Sequence, residues 1–122
     1  MKELTGKIIS ITENTPGVKT FRIKLESELD FKSGQFCMVS IKQGSGSEER
    51  PRAMSFVNSP NEKGFVEITV KAYQGFTKKL HELKVGDELI IKGPAGKFII
   101  IDKPVEKDLV FIAGGSGITP FM

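Results

Sequence analysis

The chain has no tryptophan and only one tyrosine, one histidine and one cysteine among its 122 residues. Each scarcity excludes something. A single cysteine, Cys37, leaves no internal disulfide and fits a reducing compartment. Its neighbours Phe36, Met38 and Val39 mark it as a small buried hydrophobe rather than a reactive thiol. With one His and one Cys, no nucleophile–base pair can be read. No cluster of His, Cys, Asp and Glu has the spacing of metal ligands, so no metal is expected. His81, beside Glu82, reads as a surface or packing residue rather than a catalyst. No apolar run approaches the roughly 20 residues that a membrane-spanning helix needs. The opening M-K-E-L-T-G-K is charged and alternating, neither signal peptide nor anchor. The expectation is a soluble, cytoplasmic protein with no membrane contact.

Charge of one sign is also missing. The net charge is +3, and the basic residues are scattered among acids, with only Lys78 and Lys79 adjacent. A nucleic-acid footprint needs a basic stripe, so no nucleic-acid partner is expected. A modest excess of this kind suits the phosphates of a small ligand. Hydrophobic content of 39% and charged content of 27% describe an ordinary globular chain, long enough for one domain with a real core.

What is abundant is period-two alternation. Lys7–Thr12 and Thr20–Leu25 flank the turn signal Asn14-Thr15-Pro16-Gly17. Further strands are expected at Phe36–Ile41, Ala53–Val57, Phe65–Ala72 and Leu89–Lys92, with a polar loop over Gln43–Glu49. One stretch, Thr77–Leu83, predicts a helix with Thr77 as N-cap and Leu80 and Leu83 on one face. Six short antiparallel strands with one helix indicate a mainly β fold, a closed barrel or a sandwich. Asp102-Lys103-Pro104 marks a boundary, giving a β domain over 1–103 and a second segment over 104–122. That segment runs Asp108 to Ala113, a β-branched apolar strand, into Gly114-Gly115-Ser116-Gly117-Ile118-Thr119-Pro120. A buried strand entering a glycine-rich turn is how a nucleotide-binding βαβ unit opens. The first strand of an α/β domain, not completed by Met122, is therefore expected.

Three segments look suited to a phosphorylated ligand. Arg52-Ala53-Met54-Ser55 opens a strand with an arginine whose fork can hold a diphosphate, the alternative being a solvated salt bridge. Gln74-Gly75-Phe76-Thr77 starts the lone helix, where free N–H groups can meet an anion or simply cap a turn. The third is the loop from Gly114 to Pro120.

Taken in order, these segments resemble the ferredoxin–NADP reductase superfamily and its flavin-binding β-barrel. Arg52 to Pro60 is similar to the family's R-x-Y-S-x-x-S-x-P segment, and Val70-Lys71-Ala72 with Gly75-x-Thr77 to its second flavin segment. Gly93-Pro94-x-Gly96-x-Phe98 is similar to G-P-x-G-x-F, and Gly114 to Pro120 to the loop that begins the nicotinamide domain. The resemblance implies a six-stranded antiparallel Greek-key barrel. It also implies the FAD-binding domain of an NAD(P)H-dependent flavin oxidoreductase, with an electron-acceptor protein or domain as partner. FAD is implied over FMN because a dinucleotide has a second phosphate for the helix.

By the same resemblance, Arg52 grips the diphosphate and Ser55, the catalytic position, hydrogen-bonds near the redox-active nitrogen. The backbone of Val70 and Lys71 meets the ring edge and ribityl chain, and Gly75, Phe76 and Thr77 take the diphosphate. Gly114, Gly115, Gly117 and Thr119 lie on the nicotinamide side. The family usually has Tyr where this chain has Met54, so ring cover by a thioether replaces stacking. The resemblance also implies that the rest of the nicotinamide domain is missing from the sequence given. Two further readings stand beside this one: a stand-alone electron-transfer subunit working with a partner chain, and a non-enzymatic ligand-binding barrel. The apolar strand edge at 108–122 predicts pairing with a second copy.

Overall fold

The computed structural model describes residues 2–43, 46–47, 50–99 and 108–122. The strands are β1 (Lys2–Thr15), β2 (Val18–Leu25), β3 (Phe36–Gln43), β4 (Gly46–Ser47), β5 (Arg52–Ser55), β6 (Phe65–Lys71) and β7 (Glu88–Ala95). One helix, α1, spans Phe76–His81, and a 3₁₀ helix spans Gly115–Phe121. The six strands expected from alternation are all present. β4 is an addition, a two-residue hairpin arm against Lys42 and Gln43 inside the expected polar loop.

β1 is the organising strand. Leu4, Gly6 and Ile8 point inward, and Lys7 points out. Ile8 is fully buried and Ile9 exposed, as alternation requires, and a bulge between Ile8 and Ser10 then shifts the phase, so that Ile11, opposite the buried Phe21, packs against the core. β1 pairs with β7 through its first half and with β2 through the rest, closing the hairpin at Pro16-Gly17. β2 then pairs with β6, β7 with β3, and β3 with β5, all antiparallel. The order is β6-β2-β1-β7-β3-β5, so β5 and β6, consecutive in the six-strand path of the chain, form its two outer edges.

The inward faces build one core, in which Ile8, Phe21, Ile23, Ile68, Leu89 and Ile91 are wholly buried. α1 adds Phe76 and Leu80 to it, while Leu83 packs against it half-buried. Cys37 lies in the same core with no exposed surface, its Sγ 3.6 Å from the Met54 carbonyl oxygen. Burial pushes the thiol up to about 12.

Four expectations need correction or fall outside the description. The sheet does not close into a continuous ladder. β5 and β6 are joined by one backbone bond, Val57 N–H to Glu67 O at 2.9 Å, and by the Asn58 side chain, which accepts from Glu67 N–H (2.8 Å) and donates to Phe65 O (3.2 Å). β5 ends at Ser55, and these bonds come from the Val57 and Asn58 that follow it, while β6 is paired with β2 along its whole length. The strand expected at Leu109–Ile112 is not formed, because no described strand lies beside it to supply a ladder; Asp108–Gly114 carries no regular structure. The helix begins one residue before Thr77, with Gly75 rather than Thr77 at the cap. The boundary at Asp102–Pro104 lies outside the described residues.

Two measurements check this packing. Gly34 has φ +95°, and a Cβ there would sit 1.8 Å from the Phe98 carbonyl oxygen. Gly34→Ala is expected to lower stability by more than about 2 kcal/mol in urea unfolding. The second concerns Cys37. Below pH 9 the thiol is protonated in both states and has no effect on stability. Between the unfolded value of 9.0 and the folded value of about 12, the unfolded chain ionises and the folded chain does not, so stability falls as pH rises. The difference from Cys37→Val, followed as thermal midpoint against pH, is expected to approach about 1.4 kcal/mol per pH unit across that window. A flat difference would contradict the burial.

Candidate functional site

The gap between the two sheet edges is where the expected ligand-binding residues converge. A cavity of ≈250 Å³ opens there. β5 contributes Ala53, Met54 and Ser55 to its wall, and β6 contributes Thr69, Val70 and Lys71. Thr77 enters from the start of α1, and Ser116 and Thr119 from the 3₁₀ helix, which rests against β6. The wall is thus made by segments far apart in sequence and brought together by the sheet's curl.

The side chains differ in what they offer. Ser55 is half-buried opposite Phe36, and its hydroxyl bonds to no described residue, so it can donate or accept. Lys71 is exposed at the end of β6 and is the cation of the wall. Met54 lies opposite the buried Cys37, packs against the core, and also lines the cavity. Thr77 is already engaged: its hydroxyl accepts from Tyr73 N–H (3.0 Å) and donates to Gln74 O (3.2 Å). It therefore braces the loop before α1, and what remains for an anion is its backbone N–H. Thr119 likewise donates to Ser116 O at 3.0 Å.

Of the expected site residues, Met54, Ser55, Val70, Lys71, Thr77 and Thr119 share this cavity. Arg52 stands exposed one residue before the β5 wall and forms no ion pair with a described residue. Gly75, at φ +60° and ψ −123°, makes the sharp turn into α1, a conformation that favours glycine. No side chain caps the helix, and the Lys79 N–H bonds back to the Gly75 carbonyl at 3.1 Å. The Phe76 ring is 2% exposed and belongs to the core, leaving only its backbone for a ligand. Gly115 lines a small cavity of ≈110 Å³ beside the first, whereas Gly114 and Gly117 line neither.

His81, read from sequence as a surface or packing residue, packs edge-on against Phe21. Its Nε2 is 2.6 Å from Val70 O. A carbonyl only accepts, so Nε2 carries the proton and ties α1 to the β6 wall. Sequence reasoning passed over Thr69 and Ala53, because a threonine or alanine on a strand's polar face is ordinary; only the pairing of β6 with β2 and the approach of β5 give them a place. A larger cavity of ≈440 Å³ lies elsewhere, between Phe98, Phe111, Phe121 and Met122. Three phenylalanines form part of its wall, Phe98 and Phe111 each packed against the Phe121 ring, with Ser33 and Lys97 as its polar members, and none of the expected site residues lines it.

Similarity to known proteins agrees with this geometry. Residues 5–100 match the family described as oxidoreductase FAD-binding domain. The phenol hydroxylase P5 protein of Acinetobacter pittii is 34% identical over 122 residues, covering 98% of this chain and 33% of that protein. A probable dihydroorotate dehydrogenase B (NAD(+)) electron transfer subunit of Methanocaldococcus jannaschii is 35% identical, covering 99% and 41%. The chain therefore spans between a third and two-fifths of the length of these relatives. Among solved structures, a ferredoxin reductase in carbazole 1,9a-dioxygenase superposes with TM-score 0.85 at 26% identity, covering 98% of this chain and 37% of that one. A ferredoxin NADP+ reductase from Neisseria gonorrhoeae with bound FAD and NADP superposes with TM-score 0.84 at 28% identity, covering 99% and 49%. With the family matched over most of its length and the fold shared with these reductases, the chain belongs to the oxidoreductase FAD-binding domain family.

Proposed function

We propose that this chain binds FAD in the β5–β6 gap and serves an NAD(P)H-dependent flavin reductase that passes electrons from nicotinamide through flavin to an acceptor. The observation that carries this reading is the convergence of Ser55, Val70, Lys71 and Thr77 on one cavity, with Arg52, which pairs with no described acid, at its approach. The donor set suits the group. A flat ring needs hydrogen-bonding groups along its edge and an apolar face, which Ser55, the β6 backbone and Met54 supply. A diphosphate needs N–H donors and positive charge, which Arg52 and the open start of α1 at Gly75, Phe76 and Thr77 supply.

When bound, FAD supplies an acceptor of two electrons that can give them up singly or together. The chain's own residues bind and orient. Arg52 holds the diphosphate by charge-assisted bonds, and Ser55 offers its free hydroxyl to the ring's redox-active nitrogen. Gly114, Gly115, Gly117 and Thr119 stand on the side from which nicotinamide is proposed to approach, and Thr119 already lines the cavity. Met54 covers the ring by dispersion rather than stacking. The acceptor is a further protein or domain, and the setting is cytoplasmic, in keeping with a single buried thiol.

A second element of the reading concerns partners. Val110 is 85% exposed and Ile112 91% exposed, on either side of Phe111, whose ring stacks on Phe121. Such exposed apolar side chains invite association. We place a second copy of the chain on 108–122, and light scattering of the chain is expected to show a dimer. A monomer at high concentration would remove that element and leave the rest standing.

The cofactor reading is tested by incubating the protein with FAD, desalting it, and recording the visible spectrum. Retention of the two oxidised-flavin bands is the expected result, and a colourless protein would sink the proposal in favour of a barrel with another ligand. Arg52→Gln is expected to weaken FAD about 10- to 100-fold, as loss of a charge-assisted contact does. The same change should leave riboflavin, which has no diphosphate, nearly unaffected.

A further inference from the structure

Thr69 stands in the cavity wall on β6, and its hydroxyl has a fixed direction. The β2–β6 register sets Thr69 opposite Thr20, and the two Oγ1 atoms are 2.7 Å apart. Thr20 Oγ1 in turn donates to Asn14 Oδ1 at 2.8 Å. A hydroxyl has one hydrogen. That of Thr20 is committed to Asn14, so between the threonines Thr20 accepts and Thr69 donates. The Thr69 hydrogen is thereby turned toward β2, away from the cavity, and only oxygen lone pairs are left to face a ligand. No described residue takes them up. Bonds in such a chain polarise one another, which strengthens Thr69 as an acceptor.

We infer that Thr69 is a binding residue that accepts a hydrogen bond from an N–H or O–H group of the ligand in this cavity, its polarity set by the relay Asn14–Thr20–Thr69. The inference rests on the reading that the β5–β6 gap holds flavin. Ser55, across the gap, is a free rotor and adapts to either partner; Thr69 does not. A ligand presenting only lone pairs to β6 meets lone pairs there and loses its water without replacement. Flavin offers both kinds of donor, one N–H on the pyrimidine side of the ring and several O–H groups on the ribityl chain. The cavity thus selects for which edge of the ligand lies against β6.

Thr69→Val keeps the shape, suits a strand and removes the hydroxyl. By flavin fluorescence titration its FAD dissociation constant is expected to rise about three- to tenfold, as for one hydrogen bond. Thr69→Ser is expected to restore wild-type affinity, and circular dichroism verifies the fold of each variant. Asn14→Asp retains an acceptor for Thr20 and should bind as the wild type does. Asn14→Ala releases the Thr20 hydrogen and should weaken FAD in the same direction as Thr69→Val. Lumiflavin, which is ring alone, identifies the donor: continued sensitivity to Thr69→Val assigns the ring N–H, and lost sensitivity assigns a ribityl O–H. An unchanged constant in Thr69→Val, or equal loss in Asn14→Asp and Asn14→Ala, overturns the inference while the flavin reading survives. A wild-type chain that binds no flavin overturns both.

Discussion

A six-stranded sheet that curls around one core must bring its free edges together, and here those edges, β5 and β6, approach without forming a ladder. The rest of the molecule depends on how that approach is held. Each edge strand is anchored on its far side only, β5 to β3 and β6 to β2. Across the gap there is one backbone bond and the Asn58 amide, itself 7% exposed and bonded to both sides of the turn. A buried amide with its hydrogen bonds satisfied is a strong local restraint, because breaking it leaves polar groups dry. The result is a slot of nearly fixed width with unpaired polar groups along it.

The slot explains why ligand chemistry collects on these strands and not on β1 or β7. Interior strands spend their N–H and C=O groups on neighbours, whereas edge strands keep a row of them free. α1 closes the slot's far end through Phe76 and Leu80 in the core and through His81, whose ring proton reaches the Val70 carbonyl. The helix is short, yet it is fastened at both ends, by Thr77 to the preceding loop and by His81 to the sheet. The side chains that look chemical in the sequence, a lone histidine and a lone cysteine, are structural. The hydroxyls and backbone groups that look ordinary face the cavity.

The strands were legible because burial on one face leaves a period-two record: Phe21, Ile23 and Leu25, or Val66, Ile68 and Val70, announce their side directly. The short motifs with Arg52, Gly75 and Gly114 were legible because few residue types serve an anion or a tight turn. What could not be read depends on tertiary placement. A bulge at Ile9 leaves no composition signal. The cap of α1 falls to Gly75 because Thr77 is drawn back to Tyr73 and Gln74, a competition between two local bonds that spacing does not rank. Leu109 to Ile112 carries the composition of a buried strand, but a strand is a relation between chains of backbone, and none of the described residues supplies the other half. Thr69 acquires its role only from a threonine forty-nine positions earlier.

The burial of Cys37 has a practical consequence. With its sulfur sealed in the core and its proton held up to about pH 12, the folded protein carries no thiol that an alkylating reagent can reach. A cysteine introduced at any exposed position becomes the single addressable handle, with no need to remove the native one and disturb the packing around it. Two such cysteines, one on β5 and one on β6, would carry a pair of spectroscopic labels, and the width of the slot could be read as the distance between them with Cys37 left in place.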